Sequence, residues 1–301
     1  MQKLRISVVE YLNTVPLVRG FTHGPLAGKY LLSFTVPSQC AEALRSGAAD
    51  IAIIPAIEYQ RIPDLAVLPD IAIASQNRVR SLLVVAKKPI EQVRSIALDR
   101  SSRSTQALTR ILATRHWKID PEFTEGAPDL RAMLANADAA MIIGDPALRI
   151  SIAIEKNSAV GPDGRAVCHA ETLGLIGSEI LHLYDLVGEW RRFAALPAVL
   201  AVWAGRRNDV TAEIAADFFT SRDYGLLSIG DISTEAAQEL ELPQHELESY
   251  LRHNIDFHLG EENRLGLERY FHEAANLGLI PGDKRIEWAA ATKGATRAQV
   301  P

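Results

Sequence analysis

Small polar side chains occur at four points where a short apolar run ends and a helical pattern begins. The residues are Asn13 and Thr14, then Ser38, then Ser101, Ser102, Ser104 and Thr105, and finally Gly144 and Asp145. A helix N-terminus carries unsatisfied N–H groups and a partial positive charge. Several of them in one cleft would bind a ligand that carries carboxylates. The spacing therefore predicts a site for a small organic anion.

Each position also has an explanation that needs no ligand. The role of helix N-cap is enough to explain Ser38. For Asn13, the spacing favours a helix cap and a site residue equally. Asp145 can equally be explained as a helix cap. Ser81 is explained as a serine at the edge of a strand. The run SSRST differs, because one hydroxyl caps a helix and this turn holds four hydroxyl side chains and an arginine. Anion binding is therefore the favoured interpretation of that turn.

Other groups that could take part in chemistry are scattered along the chain. Arg19, Arg78 and Arg80 could pair with ligand carboxylates, although guanidinium groups on protein surfaces are common. His253 and His258 lie five residues apart, which does not place them on one face of a helix. The sequence contains no GxxxxGKS/T, no GxGxxG after a strand, no HExxH and no GxSxG. We therefore expect no cofactor and no metal.

The elements that must position these residues form an α/β pattern. Short runs rich in Val and Ile alternate with longer segments of helical period, which is typical of mainly parallel sheets with crossover helices. We predict a β-α-β unit with strands over 32–36 and 50–54 and a helix over 39–45, and a long helix over about 261–277. Further strands are predicted over 5–9, 67–73, 81–85, 95–98, 139–143 and 198–203.

The strand pattern breaks at Lys87, Lys88 and Pro89 and returns near residue 198. This predicts two lobes, with lobe I formed by 1–87 and 190–301, including the C-terminal helices, and lobe II formed by the inserted segment 88–189. Two crossings between lobes would leave a cleft that closes by hinge motion. Ligands of open α/β sheets bind beyond the carboxyl ends of the strands, where the polar turns lie.

Composition excludes several classes of function. The 301 residues are 48% hydrophobic and 23% charged, which is ordinary for a globular protein. With 32 Lys and Arg against 37 Asp and Glu, the net charge of −5 does not favour nucleic-acid binding. The N-terminal segment lacks the uninterrupted apolar core of a secretory signal, and no window resembles a membrane span. We expect a cytoplasmic protein that acts on a small molecule; the sequence does not determine its oligomeric state.

Seven stretches between residues 8 and 271 carry a resemblance to a known family. They are VVEYLNTVPLVRG, SGAADIAIIPAIEY, SLLVVAKKP preceded by NRVR, ALDRSSRSTQALTRIL, AAMIIGDPALR, YDLVGEWRRFAALPAVLAVWA and NIDFHLGEENRLGLERYF. These stretches resemble the menaquinone-biosynthesis family of the futalosine route, and within it the branch that dehydrates chorismate. YLNTVP and the SSRS turn are its more specific signals. Pro146 and the stretch SQNRVR depart from the family pattern and could reshape the edge of the pocket.

The resemblance implies a type II periplasmic-binding-protein-like fold without export, and conversion of chorismate into 3-[(1-carboxyvinyl)oxy]benzoate by loss of water. It implies that Asn13 and Ser81 are catalytic and that the hydroxyls of the SSRST turn hold a substrate carboxylate. Ser38 is a pocket candidate by its position after a strand only. The proton acceptor stays open between the substrate's own carboxylate, a water and a side chain. Two alternatives remain, the sister enzyme 1,4-dihydroxy-6-naphthoate synthase, with the same fold, and a non-catalytic protein that binds small anions.

Overall fold

The computed structural model describes residues 3–156, 159–160, 165–176 and 179–289. Its strands form two sheets, with helices packed against them. The strands are β1 (Arg5–Val9), β2 (Leu31–Thr35), β3 (Ile51–Pro55), β4 (Leu65–Ser75), β5 (Leu82–Ala86), β6 (Ser95–Asp99), β7 (Glu122–Gly126), β8 (Ala139–Ile143), β9 (Ala159–Val160), β10 (Ala166–His169), β11 (Ile180–Asp185) and β12 (Ala198–Arg206). Their alternation with helices confirms the predicted α/β class.

The helices follow the predicted pattern in the N-terminal half and dominate the C-terminal part of the chain. They are α1 (Val15–Thr22), α2 (Pro37–Ser46), α3 (Ala56–Arg61), α4 (Arg103–Ile111), α5 (Leu130–Asn136), α6 (Gly144–Glu155), α7 (Leu186–Ala194), α8 (Ala212–Leu227), α9 (Ile229–Leu240), α10 (Gln244–Ser249) and α11 (Glu261–Asn276). Short 3₁₀ turns occur at Leu12–Thr14, Ile90–Gln92 and Ala170–Leu173, and π-helical turns at Leu112–Trp117 and Tyr250–Asn254. Among the described residues, no helix has the length and apolar character needed to cross a membrane.

The first sheet has the strand order β2-β1-β3-β12-β4. β1 pairs in parallel with β2 and with β3, so that Ile6 lies opposite both Leu32 and Ile51. Every residue of β3 is buried, which is usual for a strand of a parallel sheet whose two faces are both covered. The predicted β-α-β unit is confirmed as β2, α2 and β3.

The second sheet has the order β7-β6-β8-β5-β11-β10-β9. β6 is parallel to β7 and β8, whereas β5 is antiparallel to β8 and β11. In the first sheet, β12 is antiparallel to both of its neighbours in the same way. β5 and β12 are the strands that follow the two crossings between sheets. Each of these strands begins at the end of its sheet where a neighbouring strand finishes. Leu82 at the start of β5 lies opposite Ile143 at the end of β8, and Ala198 at the start of β12 lies opposite Ser75 at the end of β4. Both strands must therefore run in the reverse direction.

The position of β5 corrects one sequence-based prediction. The strand predicted at 81–85 was assigned to lobe I, which ended at residue 87, but β5 pairs within the second sheet. All of its residues are buried, so its apolar run fits the centre of either sheet equally well. The chain changes sheets in the polar segment 76–81 rather than at Lys87 to Pro89. The other limits of the two lobes remain predictions, and residues 290–301 of the predicted lobe I lie outside the described residues.

One carboxylate ties the two crossings together. The side chain of Asp185, at the end of β11, accepts hydrogen bonds from the backbone N–H groups of Val79 at 3.1 Å and Arg80 at 2.7 Å. It also caps α7 by accepting from Val187 at 3.1 Å and Gly188 at 3.0 Å. Burial raises the pKa of this carboxyl group, and the N–H groups of Gly188, Arg80 and Val79 oppose that rise. Both crossing segments are therefore anchored at one point.

Close packing of α1 against α8 fixes the start of α1. A Cβ atom on Gly225 would overlap the backbone carbonyl oxygen of Pro16, so only glycine permits this approach. Ser221 Oγ, on the same face of α8, donates to the carbonyl oxygen of Leu17 at 2.9 Å. The 3₁₀ turn Leu12–Thr14 runs directly into α1, and its polar residues are thereby held in place.

Candidate functional site

A pocket of about 470 Å³, part of it open to solvent, lies between the two sheets. Its polar lining residues are Tyr11, Asn13, Thr14, Ser102 and Thr105. The remaining lining residues are apolar or glycine, so that all residues lining the pocket are uncharged.

Four helix N-termini meet at this pocket. Each contributes a lining residue, which is Thr14 before α1, Pro37 in α2, Ser102 before α4 and Gly144 in α6. The helices at all four predicted turns therefore reach one pocket, although Ser38 and Asp145 themselves do not line it. Because the lining side chains carry no charge, an anion in this pocket would be stabilised by the helix dipoles rather than by charged side chains.

Asn13 lines the pocket and is 9% exposed. The N-cap of α1 is Thr14 rather than Asn13, and the N-cap of the preceding 3₁₀ turn is Tyr11. The alternative that Asn13 serves as an N-cap is therefore wrong. Its Oδ1 accepts a hydrogen bond from Thr14 Oγ1 at 3.3 Å. The Asn13 side chain also opposes the rise in the pKa of Tyr250 that burial causes.

Ser81 is fully buried and does not belong to the residues that line the pocket. It precedes β5 directly, as the strand-edge interpretation expects. Its Oγ accepts a hydrogen bond from Tyr250 Oη at 2.8 Å, and its carbonyl oxygen accepts one from the Gly144 N–H at 2.8 Å. Ser81 therefore lies behind the pocket wall, in contact with residues that form it.

Two of the four hydroxyls in the SSRST turn line the main pocket. Ser102 and Thr105 are both buried, and their hydroxyl oxygens lie 2.9 Å apart at the start of α4. Ser101 is turned away, because its Oγ donates to Asp99 at 2.7 Å. Ser104 Oγ accepts from the N–H of Ile57 at 3.1 Å, so this hydroxyl is used to join α4 to α3. Ser104 lines a smaller neighbouring pocket of about 280 Å³ instead.

Ser38 and Asp145 hold the lobes together rather than cap helices. The N-cap of α2 is Val36 and Pro37 is the first helical residue, a position that its restricted φ angle suits, so the N-cap prediction for Ser38 is wrong. The Ser38 N–H donates to the carbonyl oxygen of Ser101 at 2.9 Å. Asp145 lies inside α6, whose N-cap is Ile143, and its cap interpretation is also wrong.

The Asp145 carboxylate instead accepts the N–H of Leu12 at 3.2 Å. This bond connects α6, beside the second sheet, to the turn before α1, beside the first. Burial raises the pKa of Asp145 to about 6. Next to it, Gly144 has a φ angle of +70°, and a Cβ atom there would lie 2.8 Å from the ring of Tyr11. These contacts join the two lobes beside the pocket.

Tyr11, Tyr250 and Asp99 belong to the site and were not predicted from the sequence. Burial raises the pKa values of both tyrosines, so each hydroxyl stays protonated. Tyr11 is the first residue of YLNTVP and could have been found from that motif, whereas Tyr250 is far from every predicted turn. Asp99 ends β6, and its Oδ1 accepts both the N–H and the hydroxyl of Ser101. Its Oδ2 has no hydrogen-bond partner among the described residues.

The three arginines considered as ligand partners are engaged elsewhere. Arg19 pairs with Glu235 at 2.6 Å, Arg78 pairs with Glu155, and Arg80 pairs with Glu155 at 2.5 Å. None of the three lines the described pocket.

His253 and His258 are exposed, as expected for solvated residues. Among the described residues, His, Cys, Asp and Glu side chains form no group of three or more that could hold a metal ion.

Solved structures show the same architecture. Protein AF1704 from Archaeoglobus fulgidus is 18% identical, with a TM-score of 0.67 over 92% of this chain and 98% of its own. The periplasmic aliphatic sulphonate binding protein SsuA from Escherichia coli is 17% identical, with a TM-score of 0.59 over 100% of this chain and 97% of its own. These similarities confirm the predicted two-lobed, periplasmic-binding-protein-like fold.

Sequence comparison agrees with the motifs. Chorismate dehydratase from Thermus thermophilus is 27% identical over 283 residues, which is 93% of this chain and 98% of that protein. A family model described as menaquinone biosynthesis matches residues 4–276. Since that match spans both sheets and every turn at the pocket, the chain belongs to the menaquinone biosynthesis family.

Proposed function

We propose that the protein converts chorismate into 3-[(1-carboxyvinyl)oxy]benzoate by eliminating water. The observation that carries the proposal is the convergence of four helix N-termini on an uncharged pocket beside Asn13. Such a pocket suits a small molecule with two carboxylates. The name of the Thermus thermophilus relative, chorismate dehydratase, supports the same substrate. We also propose a cytoplasmic location, which the family resemblance implies and cell fractionation would test.

The substrate's own chemistry suggests a stepwise reaction. The C3 hydrogen of chorismate is activated through the ring double bond by the ring carboxylate, so its removal gives a delocalised carbanion. The hydrogen and the C4 hydroxyl lie on the same face, which excludes a concerted anti elimination. Loss of hydroxide from the carbanion completes an aromatic ring and provides the driving force. The C3 proton passes first to an acceptor, which is the substrate's own enolpyruvyl carboxylate, a water or a side chain, and it then combines with the departing hydroxide to form one water.

Within this proposal, Ser102, Thr105 and the free N–H groups at the start of α4 bind the ring carboxylate. Negative charge flows into that carboxylate when the proton leaves, so donors placed there stabilise the carbanion. Asn13 lies across the pocket and offers an amide N–H to the departing hydroxyl. The rest of the lining is apolar, and the lower local polarity strengthens both interactions.

Incubation of the purified protein with chorismate in the presence of a chelator tests the proposal. We expect the diene absorbance to fall while a product that is lighter by one water accumulates. Asn13→Ala should bind chorismate and turn it over slowly, because it loses an interaction that strengthens in the transition state. Chorismate binding without turnover would instead identify a non-catalytic binding protein, and activity only on the substrate of 1,4-dihydroxy-6-naphthoate synthase would identify the sister enzyme. Loss of activity on chelation, with recovery on adding a divalent ion, would also contradict the proposal.

A further inference from the structure

The first turn of α4 has two faces. Ser102 and Thr105 lie three residues apart and line the pocket. Successive residues of a helix are rotated by about 100°, so Arg103 and Ser104, which lie between them, point elsewhere. Neither of these two residues lines that pocket. The arginine of the SSRST turn therefore has a role other than contact with the ligand.

The Arg103 guanidinium connects α4 to two other helices. Its Nη1 donates to Glu58 Oε2 in α3 at 3.1 Å, and its Nη2 pairs with Glu42 Oε1 in α2 at 2.7 Å. α4 follows β6 of the second sheet, whereas α2 and α3 follow β2 and β3 of the first. Because a guanidinium presents its donors in a planar fork, one side chain reaches two carboxylates and joins the two sheets.

Three uncharged hydrogen bonds hold the same turn in place. The Ser38 N–H donates to the carbonyl oxygen of Ser101 at 2.9 Å. Ser104 Oγ accepts the N–H of Ile57 at 3.1 Å, and the Ser104 carbonyl oxygen accepts the hydroxyl of Tyr270 at 2.9 Å. Each of these bonds comes from a helix that follows a strand of the first sheet. Arg103 adds the charged contacts to this set.

Two other arginines share the Glu58 carboxylate but do not join the sheets. Glu58 is fully buried, and it pairs with Arg61 at 2.9 Å and with Arg45. Arg61 lies in α3 together with Glu58, and Arg45 lies in α2. Loss of Arg103 would therefore remove the connection to α4 and still leave two cations beside the buried carboxylate.

We propose that Arg103 is a positioning residue that fixes the first turn of α4, through Glu42 and Glu58, so that Ser102 and Thr105 face the pocket. The kinetic part of this inference rests on the proposed function, in which this turn binds the ring carboxylate. Arg103 thus acts on the ligand through the turn and not through its own charge, which the two carboxylates neutralise.

Kinetics of two variants test this role. Arg103→Met removes the guanidinium and keeps an unbranched side chain. Misplacing a group by about 1 Å can cost about 100-fold. Because the uncharged bonds of the turn remain, kcat/KM should fall roughly 10-fold, mainly through a higher KM. Arg103→Lys keeps the charge but lacks the fork that reaches two carboxylates, so it should show most of the same loss.

A wild-type KM in Arg103→Met would overturn the inference. A wild-type KM in Arg103→Lys beside a raised KM in Arg103→Met would also overturn it, because the charge alone would then attract the ligand. Arg61→Met is the matched control, since the Arg61 side chain is 32% exposed against 31% for Arg103 and pairs with the same carboxylate. It should leave KM unchanged. An equal rise in KM in Arg61→Met would show that neutralising Glu58 is what matters, and would refute the positioning role.

A second measurement needs no turnover. The N–H groups of Ser38 and Ile57 donate to the α4 turn, so their hydrogen exchange, followed by NMR, reports whether the turn is held. Both should exchange faster in Arg103→Met, while Arg61→Met leaves Ser38 unchanged and amides in the middle of α8 stay unchanged in both variants. Unchanged exchange in Arg103→Met, or a rise that extends to α8, would contradict the positioning role. If the protein fails to dehydrate chorismate, only the proposed function fails, and this exchange still decides the role of Arg103.

Discussion

Replacing Asp145 by asparagine should make the protein more stable at neutral and alkaline pH. Burial raises the pKa of this carboxyl group from 3.8 to about 6. A shift of about two units corresponds to about 3 kcal/mol, at 1.36 kcal/mol per unit. Because the raised pKa favours the protonated form in the folded state, the contribution to stability is fully present below pH 3.8 and is lost as the pH rises through about 6. Above that range, the charged Asp145 destabilises the folded state relative to the unfolded chain.

Asparagine at position 145 cannot ionise, and its amide oxygen can still accept the N–H of Leu12. Asp145→Asn should therefore gain up to about 3 kcal/mol over the wild type at pH 8 and gain little at pH 4. Urea unfolding of both proteins at several pH values measures this difference. Asp120→Asn, at an exposed position, controls for replacing a carboxylate by an amide. A gain that is the same at pH 4 and pH 8 would refute the argument from burial.

Three further substitutions test other parts of the site. Gly144→Ala must place a side chain at a φ of +70° and against the ring of Tyr11, so it should lose about 1 to 3 kcal/mol of stability, read as a lower melting temperature. Asp185→Ala leaves four backbone N–H groups at the crossings without their acceptor; it should cost at least about 3 kcal/mol in urea unfolding. Ser102→Ala removes a charge-assisted hydrogen bond worth about 1.5 to 3 kcal/mol and should lower kcat/KM by roughly 10- to 100-fold, mainly by raising KM. Wild-type kinetics in Ser102→Ala would show that the hydroxyl does not bind the substrate.

The fold could be predicted from the sequence where periodicity decides the outcome. Strands β1, β3 and β8 are apolar runs bounded by turn residues, and each was predicted within a residue of its observed limits. Strand direction was less accessible, because an apolar run has the same pattern in either direction. The direction of β5 and β12 depends on where the chain crosses from one sheet to the other. The local sequence does not encode the position of these crossings. The assignment of β5 to the wrong lobe has the same cause.

The site was predicted at the level of turns but not of individual hydroxyls. Ser102 and Thr105 lie three residues apart and share a helix face, and both line the pocket. Ser104 is one residue from Thr105, about 100° around the helix, and its hydroxyl faces α3. Helical spacing alone would have separated these two groups, once the direction of α4 was known. Ser38 was misassigned because Pro37, and not Ser38, begins α2.

Tyr250 could not be predicted from local sequence, because the reason for its position is tertiary. It lies 169 residues from Ser81 along the chain, and its contact depends on how the C-terminal helices pack beside the first crossing. Arg80 pairs with Glu246 of α10 at 2.8 Å, which brings the start of the π-helical turn next to Ser81. The residues that face the ligand come from strand-to-helix turns, where sequence signals are strong. Tyr250, which donates to Ser81 behind the pocket wall, lies in a helical turn whose position depends on that packing, so the C-terminal helices are part of the site and not an accessory to it.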